Sequence, residues 1–520
     1  MKETSASKLP PDLAAWHFLS RTTFGPGPQD VERARQTGIK AILEEQLHPE
    51  TIDDSEVEQK IASLPTLTMS PAELMEDFPA PMKGKNPEAK PQTLEQQGYK
   101  PFGPNPATPQ NSPPMGAAME PDGPRRIMLE LAREQFWRAA YSRRQLQEVM
   151  VQFWMNHFNI YAGKGVDKWL ITSYEQDTIR PNALGNFDQL LTATAQSPAM
   201  LFYLDNWLSV GPNSPEGRHP GKNRHGLNEN YAREIMELHT LGVDGGYTQE
   251  DVREVACCFT GWTIDRPQKG GGFTFRPRTH DDGKKVVLGH KIGGRGGMED
   301  GMEVLRRLAA HPSTARFISL KLCRHFVADD PPAAVVSRAA ETFTQSRGNL
   351  RHVLKTILTS PEFNSQAAFR AKVKSPFELV ASSLRTLEAE TDGGAPLMGQ
   401  IQRMGQPLFQ YQAPTGYPDR GSSWINSGTL LARMNFSMAL AANKIPGTRL
   451  DFQALAPSGD SPEVWDQLVQ RTLGGSVTDE TRAAVMKSLD GLGSQGGGKG
   501  FPKTMLMAAL LLGSPDFQRR

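Results

Sequence analysis

The sequence predicts a mainly α-helical protein, one large multi-helix domain with a small β-hairpin inserted near residues 270–290. Apolar residues recur at three- and four-residue spacing through most of the chain, whereas alternation typical of strands is confined to residues 268–298. Predicted strands and helices do not alternate, so a parallel sheet is not expected. The composition is globular and almost neutral, with 58 Lys plus Arg against 57 Asp plus Glu. That balance argues against a disordered chain and against general nucleic-acid binding.

Residues 1–64 are predicted to supply the first helices of the core. Leu13, Trp16 and Leu19 form an apolar stripe that the FGPGP segment at 24–28 ends, and a second stripe follows with a break near Gly38.

Residues 65–124 are predicted to form a proline-rich insertion or surface arm. They contain 14 prolines and no apolar periodicity, and a segment such as PFGPNPATPQNSPP cannot hold a regular helix.

Residues 125–520 are predicted to continue the core as the main helical domain. Helical spacing is strong over 125–210, and Thr248 to Asp251 is a variant capping box that opens a helix. In the hairpin, Phe273 and Phe275 are expected to pair across an HDDG turn with Val286 to Leu288. The helices expected after it, ending with those in the C-terminal part 460–520, are 299–310, 312–328, 333–345, 349–359, 374–388, 424–444, 462–472, 478–490 and 503–513.

Cysteine usage and hydropathy limit the compartments. The three cysteines Cys257, Cys258 and Cys323 are too few and wrongly spaced for a disulfide framework or a thiolate zinc site. The sequence has no run of 18 or more apolar residues, so no transmembrane segment is predicted. The N-terminus has no secretory signal, so the expected location is cytoplasmic as written, or periplasmic or envelope-associated if a leader is missing.

The densest polar motif is NENYARE at 228–234, which follows a loop rich in glycine and proline and opens a helix ending near Gly242. Glu234 is the expected acid/base, and Arg233 orients it or binds an anionic group. The other polar residues of this helix start, expected to help catalysis or bind a ligand, are Asn228, Glu229, Asn230 and Tyr231. An ordinary capped helix with an Arg233–Glu237 pair is the alternative.

Three further segments hold candidate site residues. In FWMNHFNIY at 153–161, His157 is a candidate base or metal ligand and Trp154 a candidate binding residue, unless they are core residues. The THDDGKK turn at 279–285 supplies His280 and Asp281, unless it is an Asx turn with Gly283 at positive φ. The loop before the helix near residue 430 is rich in aromatics, and Tyr417 and Trp424 are its candidate binding residues.

These motifs together resemble a bacterial family of unknown function, domain of unknown function 1800. The resemblance covers almost the whole chain. It is carried by HFLSRTTFGPGP at 17–28, FWMNHF at 153–158, GNFDQLLTATAQSPAMLFYLDN at 185–206, the segment at 228–263, HDDGKKVVLG at 280–289, the segment at 309–332 and PTGYPDRGSSW at 414–424. It implies no established activity. It does imply a co-encoded, sulfatase-like partner of another uncharacterised family, and export signals in many members.

Two classes of function follow, with a third behind them. The first is an enzyme whose His/Glu/Asn/Arg pocket hydrolyses or modifies carbohydrate or cell-envelope material. The cofactor is open; a divalent metal would use His157, Glu234, His239, His280 and Asp281. The second is a non-catalytic binding or assembly protein that acts with the sulfatase-like partner. A haem or redox protein is the third, although no CxxCH motif is present. The oligomeric state is not indicated.

Overall fold

Apolar periodicity becomes helix almost throughout the part of the chain that the structure describes. The structure is a computed structural model that describes residues 8–80, 123–218, 226–293, 296–455, 463–493 and 502–520. The mainly α prediction is confirmed, because sheet is limited there to three two-stranded pairs. No helix in these ranges is long and apolar enough to cross a bilayer.

The helices follow one another with short connections. In the described ranges they are α1 Pro11–Thr22, α2 Pro28–Thr37, α3 Ile39–Leu47, α4 Ser55–Ile61, α5 Pro71–Asp77, α6 Pro124–Tyr141, α7 Gln145–His157, α8 Asp167–Ser173, α9 Phe187–Gln196, α10 Pro198–Tyr203, α11 Pro215–Arg218, α12 Asn230–Glu234, α13 Gln249–Phe259, α14 Met298–Ala310, α15 Pro312–Phe326, α16 Ala333–Gln345, α17 Leu350–Leu358, α18 Pro376–Thr386, α19 Ala395–Arg403, α20 Ser427–Ala441, α21 Phe452–Leu455, α22 Glu463–Leu473, α23 Asp479–Gly493 and α24 Lys503–Gly513. Single π-helical turns, Tyr174–Ile179 and Ile235–Thr240, continue α8 and α12.

Local capping chemistry sets several helix starts. Thr248 accepts a hydrogen bond from the backbone N–H of Asp251, and the Asp251 carboxylate accepts one from the N–H of Thr248, as the sequence predicts for α13. Ser70, Ser375 and Asn426 make the same reciprocal arrangement for α5, α18 and α20.

The strands pair differently from the predicted hairpin. β2 (Phe273–Phe275) pairs with β1 (Trp262–Ile264), and β3 (Lys285–Val287) pairs with β4 (His290–Ile292). β2 pairs with β1 because Phe273 packs against Trp262, with ring centroids 5.2 Å apart. The tight turn falls instead at Leu288 and Gly289, both at positive φ, and the predicted positive φ at Gly283 is wrong. The last pair joins β5 (Glu390–Thr391) to β6 (Thr448–Arg449).

Most buried apolar side chains form one cluster that includes residues from Ala15 to Phe517, and a small second cluster joins Val57, Ile61, Leu64 and Trp137. The first described residues of the predicted proline-rich segment pack against this body. Leu74 of α5 is fully buried, and the Thr66 hydroxyl donates to Glu130 on α6 at 2.8 Å. The expectation for residues 81–122 lies outside the described residues.

A buried ionic network joins α6, α7 and the π-helical turn after α8. Arg138 bonds Glu134 at 2.7 Å, and Arg180 bonds Glu148 at 2.8 Å and Glu175 at 2.9 Å. Burial and the neighbouring Glu134 raise the pKa of Glu175 to about 7, while Arg180 lowers it. Both guanidinium groups are therefore shared among carboxylates from three elements, which holds these elements together.

Replacing Leu74 by Ala tests whether α5 is part of the core. We expect the free energy of unfolding to fall by roughly 2–4 kcal/mol, because the substitution leaves a cavity in a fully buried site. Chemical denaturation followed by circular dichroism measures this change. The control is Glu76→Ala on the exposed side of the same helix, with an expected change within about 0.5 kcal/mol. Equal, small effects of the two substitutions would contradict the packing.

Candidate functional site

A cavity of about 140 Å³ opens beside α7. Its walls come from α7 and the residues just after it, from the start of α18 and the strand-like segment before it, and from the loop between α19 and α20. Four single residues complete them: Phe24, Gln135, His325 and Arg520. Parts of the chain that are hundreds of residues apart in sequence meet here.

Two asparagines near the end of α7 hold the aromatic loop against the body. The Asn156 side chain accepts from the N–H of Tyr417 at 2.7 Å and donates to its carbonyl at 2.9 Å. Asn159 donates to the carbonyls of Tyr411 and Ala413. Gly416 sits at φ +68°, where a Cβ would lie 2.1 Å from the Asn156 carbonyl oxygen. Only glycine fits this approach, so the loop conformation depends on it.

Aromatic rings form one side of the cavity. The ring centroids of Tyr411 and Tyr417 lie 4.5 Å apart, and those of Tyr417 and Trp424 lie 5.8 Å apart. The Tyr417 hydroxyl donates to the carbonyl of Pro407 at 2.6 Å, which fixes the ring. Tyr417 and Trp424, both predicted from sequence as binding residues, thus line the same cavity.

The charged groups at the cavity are paired with one another or with close neighbours. Arg520 bonds Glu378 at 2.7 Å, and Lys321 bonds Asp419 at 3.1 Å. Lys372 bonds Asp329 and also donates to the carbonyl of Asp419. The cavity therefore presents few uncompensated charges to a ligand.

Two amides that line the cavity have hydrogen-bonding atoms without a partner in the described structure, and the His325 Nε2 beside them lies 3.5 Å from Arg520 Nη2. The Gln135 amide nitrogen donates to Glu175 at 2.8 Å, but its buried oxygen has no hydrogen-bond partner in the described structure. Gln152 lines the cavity and makes no hydrogen bond to another described residue. Burial, then the charges of Arg520, Lys372 and Arg21, lowers the pKa of His325 well below its usual range, so its ring is neutral near pH 7.

The predicted residues His157 and Trp154 lie in the core behind this wall. His157 Nε2 bonds the carbonyl of His239 at 3.1 Å, and Trp154 donates to the carbonyl of Ala183 at 3.0 Å. Burial, followed by Lys321, lowers the pKa of His239 to about 3. The two histidine rings are 6.1 Å apart, and His157 Nδ1 and His239 Nε2 have no described partner. Both rings are therefore buried in the core.

The predicted helix start at 228–234 does not line the cavity. Asn228 braces the preceding turn by donating to the carbonyl of Asp205 at 3.0 Å. Glu229 pairs with Arg233 at 3.4 Å, Tyr231 is buried against Phe259, and Asn230 is exposed. The expected Arg233–Glu237 pair is wrong, because Glu237 accepts from Tyr247 instead.

Glu234 differs from its neighbours because it is half-buried without a hydrogen bond to another described residue. Burial and the nearby Glu237 raise the pKa of Glu234 to about 7, while Arg233 lowers it. Its charge in turn contributes to raising the pKa of Tyr203, whose hydroxyl donates to the carbonyl of Gln412 in the aromatic loop. A carboxyl that titrates near neutral pH is suited to proton transfer.

The predicted turn residues His280 and Asp281 hold a third region in place. His280 bonds the carbonyl of Thr260 at 2.7 Å and Asp300 at 3.3 Å. Asp281 accepts from the N–H groups of Asn213 and Gly283, which makes the Asx turn. The five predicted metal ligands therefore do not form one centre, and the described residues contain no group of three or more His, Cys, Asp or Glu arranged to hold a metal ion.

Several cavity residues were not identified from sequence. Asn156 and Asn159 stand in the FWMNHFNIY motif, so their polar side chains among aromatics were a visible signal. Gln135, His325, Glu378 and Arg520 have no such local signal, since each lies in an ordinary amphipathic helix or at the end of the chain.

The raised pKa of Glu234 makes stability depend on pH. Its ordinary value of 4.5 applies to the unfolded chain and about 7 to the folded chain, so the folded protein holds the proton more tightly between these values. The free energy of unfolding should therefore fall as pH rises through this window, by roughly 1–2 kcal/mol after allowance for partial exposure.

Glu234→Gln tests this, because the variant should lose that part of the pH dependence and equal or exceed the wild type above pH 7. Urea denaturation at several pH values between 4.5 and 8 provides the measurement. The control is Glu250→Gln at an exposed site, which should retain the wild-type slope. An unchanged slope in Glu234→Gln would show that Glu234 titrates normally.

Comparison with known proteins identifies a family and nothing closer. No curated protein and no solved structure matches the chain. The family model described as "Protein of unknown function (DUF1800)" matches residues 17–519, nearly the whole chain. The chain therefore belongs to the DUF1800 family.

Proposed function

We propose that the cavity beside α7 binds a neutral carbohydrate, one sugar ring at a time. The observation that carries this proposal is the meeting of the Tyr417 and Trp424 rings with the Gln152 side chain, which bonds no other described residue, at one cavity.

The aromatic side of the cavity supports a ligand with an apolar face. The hydroxyl of Tyr417 is already bonded within the protein, so the ring offers its face rather than its polar edge. Sugar rings combine C–H faces with hydroxyl groups. Rings such as Tyr417 and Trp424, together with the free amide of Gln152, provide partners for both.

The size and charge of the cavity also favour a neutral ring. A volume of 140 Å³ holds on the order of ten water-sized groups, close to the number of heavy atoms in one hexose. Because Arg520 is paired with Glu378 and Asp419 with Lys321, a charged ligand would have to compete with existing ion pairs.

Binding of sugar probes tests this proposal. Titration calorimetry with methyl glucoside and methyl N-acetylglucosaminide should give saturable heats, and glucose 6-phosphate should bind no more tightly. Gln152→Leu should weaken binding about five- to tenfold through the loss of one hydrogen bond, whereas Tyr417→Phe should bind like the wild type because its ring face remains. Gln345→Leu, at an exposed site, is the matched control for Gln152→Leu. Absence of binding to neutral sugars at millimolar concentration would contradict the proposal.

We propose hydrolysis of a longer saccharide as a second candidate function. Glu234 lies outside the cavity, so it would be the general acid for a sugar unit that extends beyond the bound ring. The supporting observation is the pKa of Glu234, raised to about 7 by burial and Glu237, next to the Tyr203 that contacts the aromatic loop.

The second candidate predicts a split between binding and turnover. If Glu234 is the acid, Glu234→Gln should reduce release of reducing ends from an N-acetylglucosamine oligomer by roughly 10²–10⁴-fold while leaving affinity unchanged. Glu250→Gln should keep the wild-type rate. Turnover that survives in Glu234→Gln would remove this role, and binding without any turnover would leave a binding protein.

The remaining expectations are not used in this proposal. His280, Asp281 and His157 have structural partners, so no metal-dependent step is assigned to them. The sulfatase-like partner, the cellular location and a haem or redox role stay predictions from the sequence.

A further inference from the structure

Helix α20 presents an apolar stripe to solvent. Its inner face is buried, with Phe436 and Leu440 fully covered. On its outer face, Leu431 and Met434 are 60% and 56% exposed, and Leu430, Met438 and the preceding Ile425 are also exposed. Of the eight large apolar side chains that are exposed in the described structure, five lie on this stripe. Such clustering is typical of an interaction surface, because isolated exposed apolar residues would be scattered.

The stripe lacks charge. Between Arg420 and Lys444 the sequence contains one charged residue, Arg433, and its side chain is buried by bonds to Gln518 and to the carbonyl of Lys374. The exposed face therefore cannot recruit a charged partner. A partner of matching character must itself offer an uncharged apolar surface.

We propose that this stripe is a two-fold interface at which α20 packs against α20 of a second copy of the chain. Leu430, Met434 and Met438 are spaced four residues apart, so they form one ridge that packs into the groove beside the same ridge on another helix. Met434 is the centre of that ridge. An antiparallel two-fold pairing therefore sets Met434 near the axis and each Leu430 opposite the partner's Met438, which makes the patch complementary to itself.

The area of the stripe fits a moderate dimer. From their exposed fractions, the five apolar side chains offer on the order of 450 Å² per copy, about half of the ~800 Å² that each partner buries in a standard interface. The exposed polar residues Asn426, Ser427 and Asn435 flank the stripe and supply a rim. We expect dissociation in the micromolar range.

A lipid surface is a poorer occupant. Helices that lie on membranes carry Lys and Arg around their apolar face, where they contact anionic headgroups. On α20 the only cation points into the protein. The inference does not depend on the ligand of the cavity, so failure of sugar binding would leave it intact.

Sedimentation velocity on the full chain tests the interface. Between about 1 and 100 µM the wild type should pass from monomer to dimer, and Met434→Lys should raise the dimer dissociation constant at least ~100-fold by burying an unpaired charge. Val243→Lys, at a site that is 69% exposed elsewhere on the surface, is the matched control and should dimerise normally. Thermal denaturation must show that both variants fold. A wild type that stays monomeric at the upper concentration, or Met434→Lys that dimerises like the wild type, overturns the proposal.

Cysteine cross-linking locates the axis. The three native cysteines are buried, so an introduced surface cysteine is the reactive one. Met434→Cys should form a disulfide-linked dimer on mild oxidation, because the two positions face each other across the axis, whereas Val243→Cys should not. Dimers that link equally through both positions would overturn this pairing. A monomeric protein that floats with phosphatidylcholine vesicles would overturn it in favour of a lipid surface.

Discussion

The buried pairing of Arg138 and Arg180 with glutamates from neighbouring elements is the constraint on which the rest of the structure depends. Burying these charges is costly, and the cost is offset only when every carboxylate keeps its guanidinium partner. Since Glu134, Glu148 and Glu175 come from α6, α7 and the turn after α8, their geometry sets the relative positions of these elements. The same network reaches the cavity, because Gln135 of α6 lines the cavity and donates to Glu175.

The cavity exists because α7 ends in side chains that bind backbone. The side-chain amides of Asn156 and Asn159 bond the backbone of the loop that carries Tyr411 and Tyr417. These two residues therefore form part of the wall, and their amides are not available to a ligand. A glycine at position 416 allows the close approach that these bonds require. Rigid side chains supported by a helix bind with less loss of entropy than mobile ones. Such rigidity suits the binding of a small ring that we propose for the cavity.

The helices were predictable because a helix with one buried face has apolar residues at three- and four-residue spacing. Helices α14 to α18 begin and end within about two residues of the predicted bounds. The strand pairing of Phe273 was not predictable, because its partner strand begins at Trp262. In the sequence, Trp262 follows the apolar residues of α13 and so resembles part of that helix. The burial of Leu74 was not predicted, because the prolines around it indicated an irregular segment. In the site, Tyr417 and Trp424 could be predicted because they belong to a recognisable aromatic loop. His157 and His280 were predicted from their residue type, but their ring nitrogens bond backbone carbonyls in the folded protein. Residue type indicates what a side chain can do, while its partners decide what it is free to do.

The wide separation of the cavity residues explains why no short motif names the function. The walls run from Phe24 to Arg520, and the ion pairs at the cavity join α18 to the C-terminal residue and α15 to the aromatic loop. These contacts form only when almost the whole chain has folded, so the cavity depends on the complete fold. The family model matches residues 17–519, which is nearly the same span. The function of this fold is therefore best sought in what the assembled cavity binds, and less in the reactivity of any one histidine or glutamate.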